Sequence, residues 1–224
     1  MASQNQYFNC LPRRIKMKNL KIILCGLVLS FSSWAFAKTE VYTLDSVHSS
    51  IAFKIRHLVG RVTGSFPNFT GVINLDSADL TQSSVSAEID VLGINTQNTK
   101  RDDHLKSPDF FDAGKFSKMI FKSTKIKKTE SGKYQIEGDL TIHGIKKMMT
   151  LEMTYNGTSP GMMGEIRAGF SATGKINRKD YGIVWNKTLD VGGLALGDDV
   201  EITIEIEAVK EVAKASTPES AKAK

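Results

Sequence analysis

The sequence predicts an all-β protein, a closed antiparallel barrel of about eight strands with a dry interior and one short helix. Three observations predict it. Apolar residues recur at every second position in stretch after stretch, the period of a strand with one buried and one wet face. Turn signals rich in Gly, Asn, Ser and Pro separate these stretches at the spacing of all-β barrels and sandwiches. The faces opposite the apolar sets carry Glu, Lys, Thr and Asp, so the charged side faces water. A membrane barrel would place those charges in lipid, at ~2–4 kcal/mol for each basic residue near mid-depth.

Taken in order, residues 1–37 read as a secretory signal peptide. Arg13, Arg14, Lys16, Lys18 and Lys21 precede an apolar run at 22–31, and Ala35-Phe36-Ala37 supplies a small-residue cleavage signal, with Met17 as a possible true start. The run falls short of the ~20 apolar residues a membrane span needs. A short strand is expected at 41–44, followed by a longer one in which Ile51, Phe53, Ile55 and Val59 share a parity. Strands follow at Phe69–Leu75 and at 85–91, the latter with Val85, Ala87, Ile89 and Val91 inward. Thr99–Lys106 breaks the pattern: it is helix-permissive, opens with Thr99 three residues before Asp102 as in a capping box, and is stopped by Pro108. Phe110, Phe111 and Phe116 follow at once, and a short helix with three aromatics suits the plug of a barrel end.

The second half alternates more cleanly. A strand is expected at 119–126, and in Tyr134–Ile142 the residues Tyr134, Ile136, Leu140 and Ile142 oppose Gln135, Glu137, Asp139 and Thr141. Met149, Leu151, Met153 and Tyr155 share a face, as do Ile166, Ala168, Phe170, Ala172 and Ile176. In the last strand Val200, Ile202, Ile204, Ile206 and Ala208 oppose Glu201, Thr203, Glu205 and Glu207. Turns are expected at Ser131-Gly132, His143-Gly144, Asn156-Gly157 with Ser159-Pro160-Gly161, and Gly192-Gly193 with Gly197-Asp198. Barrel residues thus run over 38–210, and 211–224, built of Ala, Lys, Ser and Pro without apolar period, reads as a disordered tail.

Removing residues 1–37 takes away both cysteines, Cys10 and Cys25, and lowers 30 basic residues to 25 against 24 acidic ones. The high isoelectric point therefore belongs to the export segment and gives no support for nucleic-acid binding. An exported chain without disulfides needs a core large enough to dispense with them. Asn68, Asn156 and Asn186 begin glycosylation sequons, which are discounted because such a chain reads as bacterial.

Chemistry-bearing residues are sparse. His48, His57, His104 and His143 show no i, i+2 or i, i+4 pairing, so no metal site is expected. His57 shares the parity of Ile51, Phe53 and Ile55, which aims it at the interior, where an imidazole either meets a ligand's polar group or satisfies the backbone. Arg101, Asp102, Asp103, His104, Asp109 and Asp112 form the densest polar cluster, readable as surface ion pairs around the plug, with Arg101 and His104 as candidates for a head group at the mouth. A barrel of eight strands is wide enough to be filled by side chains or to hold one small ligand. Inward positions that are small or pliable, such as Ala87, Ala172, Gly138, Gly174, Met149 and Met153, favour a cavity.

Specific motifs then narrow the reading. Asp45-x-x-His48-Ser49-x-Ile51-x-Phe53-x-Ile55-Arg56-His57-Leu58, then Val62-x-Gly64-x-Phe66 and Phe69-x-Gly71, resemble the opening of the YceI-like proteins. The resemblance continues through Arg101-Asp102-x-His104-Leu105, Ser107-x-Asp109-Phe110-Phe111-Asp112, Gly138-Asp139-Leu140-Thr141-Ile142-His143-Gly144, Tyr181-Gly182-Ile183 and Gly197-Asp198-x-Val200. It implies an extended, lipocalin-like barrel in the periplasm of a Gram-negative bacterium. Its elongated apolar channel would take an isoprenoid lipid or quinone-like amphiphile, with no cofactor, and the protein is often a homodimer. On that reading Phe53, Ile55, His57, Phe66, Phe69, Arg101, His104, Phe110, Phe111, Phe121 and Phe170 bind the ligand, and transient membrane contact is expected. The alternatives are a hydrolase or other enzyme acting on a lipid or small hydrophobic substrate, with His57 or His104 as general base, and a scaffold with a filled core.

Overall fold

The computed structural model describes residues 39–189 and 193–212; the signal-peptide reading of 1–37 and the tail reading beyond 212 lie outside them. The described chain forms strands β1 (Glu40–Leu44), β2 (Ser50–His57), β3 (Gly60–Ser65), β4 (Phe69–Leu75), β5 (Ser84–Asp90), β6 (Lys118–Lys128), β7 (Tyr134–Ile142), β8 (Ile145–Pro160), β9 (Ile166–Asn177) and β10 (Leu196–Lys210), and one helix, α1 (Thr99–Lys106).

Eight of these strands close an antiparallel barrel in the order β1-β4-β5-β6-β7-β8-β9-β10, with β10 returning to β1. Tyr42 of β1 marks the seam, opposite Ile73 on one side and Lys210 on the other. At the level of β1 this closure pairs the strand on both sides, leaving no unpaired edge there. β10 is long enough to serve two strands on one edge: its last residues pair with β1, and Leu196 to Glu205 pair with β2. β1 and β2 therefore follow one another along β10, and β3 folds back on β2 as a hairpin. Beyond β3 the sheet stops. Among the described residues its outer edge holds the Ser65–Asn95 bridge, and Thr96, three residues before α1, packs against Gly64.

The alternation explains the walls. On β7, Ile136, Gly138, Leu140 and Ile142 are buried, and Gly138 is there because a Cβ would come within 2.5 Å of the Phe121 ring and 2.7 Å of the Lys122 carbonyl. The adjoining register shift between Ser123 and Lys125 bends the sheet at the same level, as closure requires. His143 (φ 52°) and Gly144 (φ 73°) form a two-residue hairpin with both dihedrals positive, matching the right-handed twist of the strands they join.

Four expectations are corrected. Val59 does not continue β2: the strand ends at His57, Leu58 turns the chain with φ 51°, and Val59 is fully exposed. β3 escaped detection because Gly-Arg-Val-Thr-Gly-Ser offers Val62 as its single apolar residue. Asn156-Gly157 and Gly197-Asp198 are irregularities inside β8 and β10, with the positive φ of Gly157 used for a bulge and the chain reversing only at 161–165. α1 has the expected bounds, but Asn98 is its N-cap, accepting from the Arg101 amide at 3.1 Å, while Asp102 reaches back to Thr96. At the other terminus, Glu211 is still held to β1, its amide 2.8 Å from the Val41 carbonyl.

Candidate functional site

The inward faces enclose a cavity of about 460 Å³. That volume lies within the ~300–1,000 Å³ common for small-molecule sites. It runs from the α1 end of the barrel, where β2 and β9 finish, to the turn at Leu80–Gln82, where Leu80, Ser83 and Ser84 line it. Leu44, Ile73, Ile89, Ile136, Met149 and Ile204 are among its apolar walls.

The residues expected to bind a ligand divide by environment. Phe53, Ile55, Phe66, Phe121 and Phe170 line the walls, and Phe110 and Phe111 line the α1 end. Phe53 and Phe66 lie with ring centroids 5.5 Å apart, and Phe111 meets Phe66 edge-on at 6.0 Å. Phe69 is buried but does not line the cavity: opposite Ile89 near the start of β4, it belongs to the packed shell.

The two polar residues expected at the mouth, Arg101 and His104, are committed to the protein. Arg101 lines the cavity, yet its Nε donates to Thr96 Oγ1 and its Nη2 to the Thr96 carbonyl, both at 2.7 Å. Asp102 completes this clasp by accepting from the Thr96 amide. His104 Nε2 lies 2.9 Å from Asp109 Oδ2, and its ring stands edge-on to Phe110 and Trp185, each at 5.0 Å. Neither His57 nor His104 is hydrogen-bonded to a hydroxyl or thiol among the described residues, so neither stands beside a nucleophile. His57 lines the cavity from an exposed position at the rim rather than from within.

Two buried polar residues that line the cavity were not singled out by the sequence reading. Arg178, only 4% exposed, follows β9 with the parity of Ala172 and Ile176, so extending the alternation by one step would have found it. Its Nε donates to the Gly197 carbonyl at 2.9 Å, and Nη1 to those of Ile183 and Trp185 at 2.8 Å. Burial pulls its pKa down, partly offset by Asp198. Tyr181, 2% exposed, also lines the cavity, and its hydroxyl has no partner among the described residues. Burial pushes this phenol up to about 12, so it stays a neutral hydrogen-bond donor.

The Asp45-x-x-His48-Ser49 motif lies outside the cavity lining and fastens the link between β1 and β2. Arg167 of β9 pairs with Asp45, Glu165 and Glu207 at 2.8 Å, and His48 Nδ1 lies 2.8 Å from Asp45. Ser49 Oγ donates to the Glu207 carbonyl and accepts from its amide. The Arg167 guanidinium, then His48, holds the Asp45 carboxyl well below the usual carboxylate range. Among the described residues no three His, Cys, Asp or Glu side chains converge as a metal site would require.

Fold and cavity together define a closed antiparallel barrel built around an apolar cavity. The profile of the YceI-like domain matches residues 42–208, and the chain belongs to the YceI-like family. A UPF0312 protein of Staphylococcus aureus strain N315 is 40% identical over 168 residues, covering 74% of this chain and 95% of its own. The crystal structure of the Campylobacter jejuni YceI protein superposes with a TM-score of 0.61 at 34% identity, covering 76% of this chain and 98% of that one. A polyisoprenoid binding domain from Saccharophagus degradans, implicated in plant cell wall breakdown, shares the fold at 13% identity with a TM-score of 0.54, over 76% of this chain and 98% of that one.

Proposed function

We propose that the protein is a lipid carrier of the periplasm that holds one isoprenoid-type amphiphile, a polyprenyl lipid or a quinone, with its tail along the barrel axis. The observation that carries this reading is the cavity itself: a space within the barrel whose walls are aliphatic and aromatic along its length and whose polar residues gather chiefly at one end. Burying ~300 Å² of tail surface there would gain about 7 kcal/mol before the costs of association, at ~25 cal/mol per Å². The solved relative described as a polyisoprenoid binding domain supports the same ligand class.

The polar end sets the head group. Arg101 and His104 are held by Thr96 and Asp109, and Arg178 spends its Nε and Nη1 donors on carbonyls. His57 and Tyr181 remain to meet a polar head. Export is read from residues 1–37 and calls for fractionation of the producing cell. Mass spectrometry of an organic extract of the natively purified protein tests the carrier. A prenyl lipid or quinone at near-equimolar amount is expected; a ligand-free protein that also takes up no added quinone would sink the reading.

A further inference from the structure

The rim of the cavity carries apolar side chains that the fold leaves in water. Leu58 and Val59 form the β2–β3 turn, with Val59 fully exposed although nothing in a turn requires an apolar residue there. Val184 and Leu194 are exposed beside them. Hydrogen bonds make these segments one continuous edge: the Leu58 amide donates to the Ala195 carbonyl at 2.9 Å, and the Ala195 amide to the Lys187 carbonyl at 3.0 Å. Arg178 ties the Trp185 carbonyl to that of Gly197. His57, Ile183, Trp185 and Leu196, interleaved with these residues in sequence, line the cavity, so the edge borders its mouth.

Charge on this edge is mostly basic. The β2–β3 hairpin contains Lys54, Arg56 and Arg61 and no acidic residue. Of the neighbouring acids, Glu201 is engaged by Arg61, Asp198 by Lys179 and Arg178, and Asp199 by Lys175, while Asp180 is exposed with no ion-pair partner among the described residues. Arg56 and Lys187 have no ion-pair partner among the described residues, and Lys54 lies opposite Glu201, which Arg61 already holds. Exposed apolar side chains flanked by unpaired cations match the boundary of an anionic bilayer, where the side chains enter the acyl layer and the cations stay among the head groups.

We propose that this edge, Leu58, Val59, Val184 and Leu194 with Lys54, Arg56 and Lys187, docks the mouth of the barrel on an anionic lipid surface. Its use in loading rests on the carrier reading above: a tail that leaves the bilayer at the docked mouth enters an apolar wall without crossing water. The test is flotation of the protein, in the processed form recovered from the producing cell, with phosphatidylglycerol–phosphatidylethanolamine vesicles and with phosphatidylcholine vesicles. Binding to the anionic vesicles is expected, weakened by salt and by Lys187→Glu, and lowered about ten-fold by Val59→Asp. Val59 does not line the cavity, so lipid retained by Val59→Asp and an unchanged melting curve show that fold and cavity survive. A wild-type protein that ignores anionic vesicles, Val59→Asp that floats as well as wild type, or an edge that gathers only a second copy of the chain overturns the proposal. Retained lipid without flotation removes the docking edge alone, whereas flotation with no lipid ever bound removes the carrier.

Discussion

The guanidinium Nη1 of Arg178 lies 2.8 Å from the carbonyl oxygen of Trp185. With the bonds to Ile183 and Gly197, this one side chain fastens the strand-free stretch after β9 to the beginning of β10 and holds Trp185 at the cavity mouth. Lys at this position supplies a point charge in place of a planar fork and leaves carbonyls unpaired. Arg178→Lys is therefore expected to lower stability by about 3 kcal/mol in urea unfolding, since each charged hydrogen bond contributes ~1.5–3 kcal/mol. A loss under half that size would show that the carbonyls find other donors.

Filling the cavity should separate binding from folding. Ala172 faces the cavity between Met153 of β8 and Ile204 of β10. Ala172→Phe places a ring in open space, so a strain of ~1–3 kcal/mol from tight neighbours is offset by new apolar contact. The expected result is a melting temperature within a few degrees of wild type and a several-fold drop in extractable lipid per mole of protein. Undiminished lipid would place the tail elsewhere.

Head-group contacts are testable atom by atom. Tyr181→Phe deletes only an unpaired hydroxyl, so stability should hold, while affinity for a quinone drops about five- to ten-fold if the hydroxyl donates to it. His57→Phe, at an exposed rim position, should weaken the same ligand with little change in melting. Titration of delipidated protein with a quinone by fluorescence quenching reads both; equal affinities in wild type and both variants would remove these contacts.

Acid should loosen the β1–β2 link. Asp45 titrates below its unfolded value because Arg167 and His48 favour its charged form. The stabilisation is thus fully present above the unfolded pKa of about 3.9 and is lost as pH falls toward the lower native value. Wild type should lose melting temperature progressively below about pH 4. Asp45→Asn should start lower at neutral pH and decline less over the same acid window. Parallel curves for the two proteins would show that the ion cluster contributes nothing to stability.

The alternation made the barrel walls legible: β7 has the bounds that Tyr134 to Ile142 announced, and the inward sets of β5, β8, β9 and β10 enclose the cavity. It was silent on β3, where a hairpin partner on β2 supplies the order that Gly60 to Ser65 do not encode. Its two misplaced turns share one physical cause. Asn156-Gly157 and Gly197-Asp198 carry the residue types of turns, yet the curvature of a closed sheet uses the same backbone freedom for bulges. Arg178 went unread because a run of sequence does not show which carbonyls the fold will leave in need of donors.

The seam between β1 and β10 closes only the lower half of the barrel; higher up, β3 ends the sheet and is tied to the α1 side by the Ser65–Asn95 bridge and side-chain packing. The two halves thus answer to different rules of fit. A ring laced by backbone hydrogen bonds has a fixed girth and works as a gauge for the tail's thickness and reach. A wall finished with a hairpin, a helix and aromatic side chains yields by rotamer changes, and so is tolerant of the bulk and shape of whatever crowns that tail.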